Sequence, residues 1–338
     1  MAETRPVSTD ARAFHDGLAR LFRENHVALG IADPIATLTT TTLGVGESNL
    51  SLRVEVNGWQ SFTARLAYRA KAEVDVNLAR GFEQLTLLPA GIGPTPLYLD
   101  LSTQCVPYPC AILSFVPDAP RTDWSVEDIR AHAATLARLH RPQVPHWDAI
   151  GDAHERPFDM RQRFHDSLAY WRTHHPALFE IDVVARLVPR LDAYTAAHND
   201  IFTRLSSFSL VHGDPCVPNV LFDHNGEVRY IDWEWMEYGD PALDVAQLGW
   251  DIANPPWQIA LVGDRLDAYL GAYQAHRPDP TLRERREVWM AHLKFFDHLH
   301  YRTKAQQHRT EANDVPRKHY LSAVERIADS LIARFLLS

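Results

Sequence analysis

Alternating apolar and polar residues mark three neighbouring segments in the first part of the chain. They read ATLTTTTLG from Ala36, NLSLRVEV from Asn49 and SFTARLAY from Ser61, and they are rich in residues typical of strands. Asn57-Gly58, between the last two segments, suits a tight hairpin turn because both residue types tolerate positive φ. The pattern predicts an antiparallel sheet, preceded by an amphipathic helix over residues 11–29.

Helical periodicity dominates the rest of the chain. Apolar residues recur at helical spacing over 74–88, 125–140, twice between 142 and 207, and over 242–250, 256–273, 282–301 and 323–337. Ser125 and Asp128 form a capping-box pattern at the start of one of these helices. Apolar segments at 97–99 and 110–116 predict further strands. The fold expected is α+β, with a small antiparallel-sheet N-terminal lobe over residues 1–118 and a larger, mainly helical C-terminal lobe over residues 119–338.

One stretch, Ser209 to Leu248, concentrates the polar groups that suit catalysis. Asp214 and Asn219 lie in a loop between two short apolar runs, and Asp232 ends a third run after the turn at Asn225-Gly226. A carboxylate and an amide on one loop, with a second carboxylate after a hairpin, can hold hard divalent cations and orient a hydroxyl. We therefore expect these three side chains to converge on a phosphoryl-transfer site.

Two features of the first lobe suit the phosphates of a nucleotide. The segment GVGESN contributes Gly44, Gly46 and Ser48 between the first two predicted strands, and its glycines let backbone amides approach phosphate oxygens. An ordinary hairpin loop is the alternative, because the third glycine of G-x-G-x-x-G is absent. Arg65 on the third strand has a guanidinium that can hold two phosphate oxygens, and Lys71 is the second candidate for this cation.

The spacing of the polar residues in the stretch 209–248 resembles that of a known family. The pattern is His212-x-Asp214-x-x-x-x-Asn219, followed by Ile231-Asp232-Trp233-Glu234 and Gly239-Asp240-Pro241-x-x-Asp244. It resembles the aminoglycoside phosphotransferase and choline kinase family, whose members are small-molecule kinases with a protein-kinase-like fold. The resemblance implies an ATP-dependent phosphotransferase that uses Mg²⁺ and an alcohol acceptor.

The resemblance also assigns roles within this stretch. Asp214 is the catalytic residue that accepts the proton of the acceptor hydroxyl, and Asn219 and Asp232 are metal ligands. Glu234 is a third metal-site candidate, acting through a bound water, with a surface role as the alternative. His212 and Asp244 are expected to support the loop. A ring nitrogen of His212 would bond to a nearby carbonyl or to Asp232, whereas Asp244 would cap backbone amides.

Further nucleotide contacts in the first lobe follow from the same resemblance. In the family a glutamate on the helix after the third strand pairs with the strand cation, and Glu83 is the nearest carboxylate here, although the spacing departs from the usual one. A solvated helix face is the alternative for Glu83. The linker between the lobes offers backbone groups to the adenine edge, and Ser114 and Val116 occupy that place.

Composition and charge limit the partners of the protein. The sequence has 34 Lys and Arg against 43 Asp and Glu, a net charge of −9, which argues against a nucleic-acid partner. Cys105, Cys110 and Cys216 have no paired spacing typical of a zinc site or a disulfide framework. No apolar run approaches the length that spans a bilayer, and the start lacks the apolar core of a signal peptide. We expect a cytoplasmic protein with no membrane partner.

The sequence offers more than one chemical class of acceptor. Aromatic and acidic residues gather near the motif in sequence, namely Trp233, Trp235, Glu237, Tyr238, Trp250, Asp251 and Trp257, followed by Phe295, Phe296 and Tyr301. Aromatic faces with carboxylates suit a choline-like or polyamine-like cation, whereas most aromatic residues at helical spacing belong to a core.

We predict a kinase that phosphorylates a hydroxyl of a small metabolite, either cationic and choline-like or sugar-like. The first alternative is an antibiotic O-phosphotransferase that acts on an aminoglycoside or a macrolide. The second is a nucleotide-binding pseudokinase module, which the presence of Asp214, Asn219 and Asp232 disfavours. A metal-dependent hydrolase is the third.

Overall fold

The structure, a computed structural model, describes residues 10–45, 49–67, 71–148, 150, 156–307 and 315–337. The chain divides into two compact units, the first made of Met1–Asp118 with Arg229–Glu234 and the second of Ala119–Val228 with Trp235–Ser338. Residues 229–234 fall within the range predicted for the C-terminal lobe, but their contacts group them with the first unit.

The first unit is built on one antiparallel sheet. Its strands are β1 (Leu38–Val45), β2 (Asn49–Val56), β3 (Gln60–Ala67), β4 (Pro96–Asp100) and β5 (Cys110–Ser114). They pair in the order β1-β2-β3-β5-β4. Every second residue of β2 and of β3 from Phe62 to Leu66 is buried, as the alternation in the sequence predicts. The predicted antiparallel N-terminal sheet is confirmed.

Two helices accompany this sheet. The helix α1 (His15–Glu24) follows a 3₁₀ turn at Ala11–Phe14 and contributes Leu18, Leu21 and Phe22 to the core beneath β2 and β3. The helix α2 (Lys71–Gln84) follows β3 and ends in a 3₁₀ turn at Leu85–Leu87.

The second unit is mainly helical, as predicted. Its helices are α3 (Val126–Leu139), α4 (Met160–His174), α5 (Asp182–His198), α6 (Asp200–Thr203), α7 (Ala242–Gln247), α8 (Gly263–His276), α9 (Leu282–Gln307) and α10 (Val315–Phe335). A further 3₁₀ turn spans Pro176–Glu180. The capping box at Ser125 and Asp128 is present, with both reciprocal hydrogen bonds. Helix α3 packs on α8, and α9 packs on α7 and α10.

Short strands in and beside the second unit position the loops. They are β6 (Ala119–Pro120), β7 (Ser209–Val211), β8 (Val220–Phe222), β9 (Val228–Tyr230), β10 (Glu237–Gly239), β11 (Gly249–Trp250) and β12 (Ile259–Ala260). β7 pairs antiparallel with β10, so the loop that leaves Val211 starts beside Glu237. No helix among the described residues is both long and apolar enough to cross a membrane.

One predicted helix starts later than expected. Residues 256–262 are not helical, and α8 begins at Gly263. Asn254 and Gln258 donate their backbone N–H groups to each other's carbonyl oxygens over 2.9 and 3.0 Å, which closes a loop. Pro255 and Pro256 lack the N–H that a helix interior requires, so this loop replaces the first turns of the expected helix.

Candidate active site

The loop after β7 is organised around the buried carboxylate of Asp244. Asp244 lies in the first turn of α7 and has no exposed surface. Its Oδ2 accepts a hydrogen bond of 2.7 Å from the His212 backbone N–H, and its Oδ1 accepts one of 2.8 Å from the Gly213 N–H. Two successive backbone amides of the loop are therefore fixed to one helix.

A histidine from α3's C-terminal end completes the environment of Asp244. His140 Nε2 lies 3.0 Å from Asp244 Oδ2, and its Nδ1 lies 2.8 Å from the Tyr273 hydroxyl. Burial lowers the pKa of His140 despite the nearby carboxylate, so the ring is neutral and donates through Nε2. Burial alone raises the pKa of Asp244, but the hydrogen bond from His140 and the loop amides lower it, so this carboxylate is ionised.

Gly213 is required by both backbone conformation and space. Its φ is +86°, and a Cβ at this position would lie 2.4 Å from the Trp235 backbone oxygen. The Gly213 carbonyl in turn accepts a hydrogen bond of 3.0 Å from Gln247 Nε2 on α7. Any side chain at residue 213 would therefore displace the chain immediately before Asp214.

Asp214 and Asn219, predicted to act together, are in contact. Asn219 Nδ2 donates to the Asp214 backbone oxygen over 2.9 Å and to Asp214 Oδ2 over 3.1 Å. The Asp214 N–H donates to His212 Nδ1 over 3.2 Å, so a ring nitrogen of His212 supports the loop at this amide. The 3₁₀ turn Val217–Asn219 leads Asn219 back to Asp214.

The first unit brings Arg65, Asp232 and Glu234 together. Arg65 Nη2 lies 2.9 Å from Asp232 Oδ1 and 3.3 Å from Glu234 Oε2. With the Asn49 amide oriented by its hydrogen-bond network, its oxygen accepts from Arg65 Nε and Nη2 over 3.2 and 2.9 Å. The side chains of Asp232 and Glu234 are each 44% exposed, so an incoming cation or phosphate can reach them.

The ion pair predicted between Arg65 and Glu83 is replaced by this arrangement. Glu83 is exposed near the C-terminal end of α2, and the guanidinium of Arg65 is held by Asp232 and Glu234 instead. The departure of Glu83 from the usual spacing therefore goes together with different partners for Arg65. The side chain of Lys71, the second cation candidate, lies outside the described residues.

Local packing sets the position of Asp232. It follows β9 and has a φ of +64°. The Tyr230 N–H donates to the Ile92 carbonyl over 2.7 Å, and the indole N–H of the buried Trp233 donates to the Tyr230 carbonyl over 3.0 Å. The Trp233 indole packs so closely on Gly93 that a Cβ there would lie 2.8 Å from its Nε1. These contacts hold the residues on both sides of Asp232.

The other residues predicted to contact the nucleotide are Gly44, Gly46, Ser48, Ser114 and Val116, and their surroundings differ. Gly44 is close to the end of β1 with open space around its Cα, whereas Gly46 and Ser48 lie outside the described residues. The Ser114 N–H donates to the Thr95 carbonyl over 2.8 Å, so this amide is already engaged within the first unit. Val116 lies in the segment that follows β5 and is partly exposed.

The side-chain oxygens of Asn219 in the second unit, and of Asp232 and Glu234 in the first unit, are each of the kind that Mg²⁺ takes as ligands. Asn219 uses its Nδ2 toward Asp214, which turns Oδ1 into the atom that can ligate a cation. Asp232 and Glu234 supply carboxylates, the hard donors that Mg²⁺ prefers, and Mg²⁺ commonly takes only one or two carboxylates together with phosphates. The described residues contain no group of three or more His, Cys, Asp or Glu side chains that could hold a metal by themselves.

The aromatic and acidic residues near the motif separate into different environments. Trp250 and Phe295 are fully buried core residues. Glu237 pairs with Arg163 over 2.8 Å, and Asp251 pairs with Lys294, so both predicted carboxylates already have cations. Trp257 and Tyr301 instead stack beside the loop that carries Asp214, because the Trp257 carbonyl accepts a hydrogen bond of 2.9 Å from the Val217 N–H.

Asp297 is a carboxylate of the second unit that the sequence did not single out. It lies on α9, and its charge interacts with that of Asp214. The Tyr301 hydroxyl, one helical turn later, donates a hydrogen bond to it. Burial first and Asp214 second raise the pKa of Asp297 to about 8. A lone carboxylate within the aromatic sequence FFDHLHY was the available signal.

Buried neutral histidines predict a fall of stability in mild acid. Burial lowers the pKa of His132 and His292 to about 3 and that of His298 to about 4. Below the unfolded value of about 6.5, the unfolded chain binds protons that the folded chain does not, at up to about 1.4 kcal/mol per pH unit for each histidine. We expect the melting temperature to fall steadily as the pH is lowered from about 6.5 to about 4.5.

Replacing one of these histidines tests the cause. His292 Nε2 lies 2.7 Å from the Thr195 hydroxyl, and glutamine can supply a donor of similar reach. His292→Gln should therefore make the melting temperature depend less steeply on pH, because the variant has one fewer buried titrating group. A melting temperature that is constant from neutral to mildly acidic pH would contradict the expectation.

The fold and the sites together define a class of protein. An antiparallel-sheet unit and a mainly helical unit form a kinase-like fold. The model of the phosphotransferase enzyme family, APH, matches residues 39–279. The chain belongs to this family and is a phosphotransferase, as the sequence predicted. No curated protein matches the chain.

Solved structures with the same fold come from several branches of phosphotransferases. The streptomycin-ATP-APH(2″)-IIa ternary complex has a TM-score of 0.58 and 14% identity, covering 92% of this chain and 96% of that one. Macrolide 2′-phosphotransferase MphH from Brachybacterium faecium has a TM-score of 0.55 and 17% identity, with coverages of 90% and 98%. A choline/ethanolamine kinase family protein from Mesorhizobium loti has a TM-score of 0.51 and 15% identity, with coverages of 93% and 95%. At these identities the likeness shows the fold.

Proposed function

We propose that this protein transfers the γ-phosphoryl group of ATP to a hydroxyl of a small metabolite that is choline-like or sugar-like. The observation that carries the proposal is that Asn219 Nδ2 donates to the backbone oxygen and to Oδ2 of Asp214, in a loop whose amides are fixed by Asp244. That arrangement presents a carboxylate to an acceptor hydroxyl and an amide oxygen to a cation on the same loop.

Each polar residue then has a specific task. Asp214 accepts the hydrogen bond of the acceptor hydroxyl and takes its proton as the new bond to phosphorus forms. Asn219, Asp232 and Glu234 would hold Mg²⁺, which supplies charge neutralisation for the phosphates when bound. ATP as donor is supported by the related APH(2″)-IIa structure, which contains ATP.

Contacts to the nucleotide come from the first unit in this proposal. Arg65 binds phosphate oxygens, and the glycine-containing segment with Gly44, Gly46 and Ser48 covers the phosphates. Val116 is the better candidate for the adenine edge, because the Ser114 N–H already donates to Thr95.

An antibiotic acceptor is the second candidate function. It is favoured by the solved structures of similar fold, which include a streptomycin complex and a macrolide phosphotransferase. The choline/ethanolamine kinase family protein favours the metabolite reading. All three share the fold with this chain at similar levels.

A turnover screen tests the proposal. Purified protein is incubated with Mg²⁺ and ATP and, separately, choline, ethanolamine, sugar alcohols, an aminoglycoside or a macrolide, and ADP release and product mass are measured. We expect ADP release that depends on one acceptor class, with a matching phosphorylated product. Inorganic phosphate without a phosphorylated acceptor would indicate a hydrolase, and nucleotide binding without turnover on any acceptor would indicate a pseudokinase.

Arg65 offers a prediction specific to the nucleotide. Arg65→Lys keeps the charge but loses the planar fork, so we expect ATP affinity to fall by about 10-fold. Arg53→Lys is the matched control, because Arg53 lies on the same sheet but pairs with Glu55 over 2.8 Å. Affinity is measured by titration calorimetry with Mg²⁺ and ATP. Equal losses of ATP affinity in both variants, or no loss in either, would show that Arg65 does not bind the phosphates.

A further inference from the structure

A groove with a volume of about 290 Å³ lies in the second unit, between α9, α10 and the 3₁₀ turn at Pro176–Glu180. Its volume is close to the lower end of the range of about 300–1,000 Å³ that small-molecule pockets have. The apolar part of its wall consists of Leu178, Ile181, Ala305, Leu321 and Val324. Leu321 is 40% exposed, so solutes can reach this wall. The groove therefore has room for a short apolar chain.

The charge in this groove comes from Arg302, whose orientation is fixed by a buried histidine. Arg302 Nε donates a hydrogen bond of 2.8 Å to His298 Nε2. Because an arginine nitrogen is always a donor, His298 carries its hydrogen on Nδ1, which donates to the Val324 carbonyl over 3.2 Å. Burial lowers the pKa of His298 to about 4, so the ring is neutral at neutral pH. The guanidinium of Arg302 is therefore held through Nε.

Arg302 is a partly buried cation without a counter-charge among the residues that the structure describes. Its Nη1 and Nη2 make no hydrogen bond or ion pair with any of them. Burial accordingly lowers the pKa of Arg302. Arg286 and Arg334, on the same two helices, both pair with Glu287, over 2.8 and 3.2 Å. A partly buried charge without a partner costs free energy, which an anion bound beside Arg302 would recover.

Other residues of the groove add to its preference for anions. Arg317 of α10 also lines it, so α9 and α10 each contribute a guanidinium. Of the described residues that line the groove, none is acidic. This local positive charge contrasts with the net charge of −9 for the whole chain. An inorganic anion would use the charge but leave the apolar wall in contact with water, whereas an alkyl carboxylate uses both.

We propose that this groove binds a free alkyl carboxylate of medium chain length, with the carboxylate on Arg302 and the alkyl chain against the apolar wall. Nη1 and Nη2 of one guanidinium match the two oxygens of a carboxylate, which favours a bidentate contact. Removal of the alkyl chain from water supplies the hydrophobic part of the binding free energy.

The groove lies on a different side of α9 from the loop that carries Asp214. Tyr301 stacks on Trp257, whose carbonyl accepts the hydrogen bond from the Val217 N–H. Arg302 is the next residue of the helix, and consecutive helical residues are about 100° apart around the axis. The proposed ligand is therefore an additional one, and its binding does not depend on which acceptor is phosphorylated.

Titration calorimetry of the full chain with sodium acetate, butanoate and octanoate tests the proposal. We expect affinity to rise by about 3- to 4-fold for each added methylene until the groove is filled, because each buried methylene contributes hydrophobic free energy. Octan-1-ol, which has the chain without the charge, should bind at least about 10-fold more weakly than octanoate. Equal affinity for acetate and octanoate would mean that no wall binds the chain, and the proposal would be wrong.

Arg302→Gln removes the charge and keeps a polar side chain. It should weaken octanoate binding by at least about 10-fold and leave the binding of octan-1-ol unchanged. Arg190→Gln is the matched control, because Arg190 is an exposed arginine of α5 outside the groove, so its loss should leave octanoate affinity at the wild-type value. Wild-type octanoate affinity in Arg302→Gln would overturn the role of Arg302.

A second variant keeps the proposal testable if Arg302→Gln does not fold. Leu321→Asp places a carboxylate in the wall at a position that is 40% exposed, so the fold should tolerate it. The added charge repels the ligand's carboxylate, and octanoate affinity should fall by at least about 10-fold. Leu337→Asp is the control, because Leu337 is 79% exposed and lies outside the groove. Equal octanoate affinities in these two variants would contradict the proposed site.

Sedimentation with vesicles separates a free acid from a lipid surface. Vesicles of phosphatidylglycerol present anionic head groups whose chains stay in the bilayer. We expect no more protein to sediment with them than with vesicles of phosphatidylcholine, which has no net charge. Sedimentation with the anionic vesicles that Arg302→Gln abolishes would assign the groove to a lipid head group and rule out the free carboxylate.

Discussion

Replacing Asp214 with asparagine lowers the rate of acceptor-dependent ADP release by about 10²- to 10⁴-fold, while nucleotide binding is retained. The carboxylate is lost, so the acceptor proton has no base, but the amide keeps the size of the side chain. Asn219 Nδ2 still has the Asp214 backbone oxygen as a partner at 2.9 Å, so the loop keeps its shape.

The measurement is ADP release at saturating acceptor, with ATP affinity determined separately by calorimetry. Glu227→Gln is the matched control, because Glu227 is an exposed carboxylate within the same stretch and should have wild-type turnover. Wild-type turnover in Asp214→Asn would remove the catalytic role from this residue. Loss of ATP binding together with turnover would indicate a disrupted loop instead.

Replacing Asp244 with alanine has the largest expected effect on stability. The N–H groups of His212 and Gly213 and the ring of His140 lose an acceptor that has no exposed surface. Breaking a buried set of charge-assisted hydrogen bonds of this kind lowers the free energy of unfolding by about 3–5 kcal/mol. Turnover should fall as well, because the two amides set the position of Asp214.

Chemical denaturation measures the first effect and ADP release the second. Asp264→Ala is the matched control, because Asp264 is also an acidic residue in the first turn of a helix but is exposed, so its free energy of unfolding should change by only about 0.5 kcal/mol. Equal stability of the two variants would show that Asp244 does not brace the loop.

The features that sequence predicted well are those set by local pattern. The alternation in β2 and β3 and the capping box at Ser125 both appear in the structure, because each depends on residues close in sequence. The contact of Asp214 with Asn219 is also local, since one 3₁₀ turn connects them.

Features that depend on distant partners were not predictable in the same way. Asp251 looked like a ligand-binding carboxylate, but Lys294 from α9 neutralises it. Glu83 looked like the partner of Arg65, but Asp232 and Glu234 take that place from far along the chain. Asp297 interacts with the charge of Asp214 because of how α9 packs in the second unit. Helical periodicity alone cannot show which loop a helix faces.

The loops that carry Asp214 and Trp257 are joined by the hydrogen bond from the Val217 N–H to the Trp257 carbonyl, and each also has an anchor of its own. The loop with Asp214 is anchored to α7 through Asp244 and Gln247, whereas Trp257 is tied to α10 through Asn254 and Arg326. Substitutions on the exposed face of α10 can therefore accumulate while the hydrogen bonds of Asp244 to the His212 and Gly213 amides stay in place. Sequence drift at the C-terminal helix is thereby compatible with an unchanged geometry of the loop that carries Asp214.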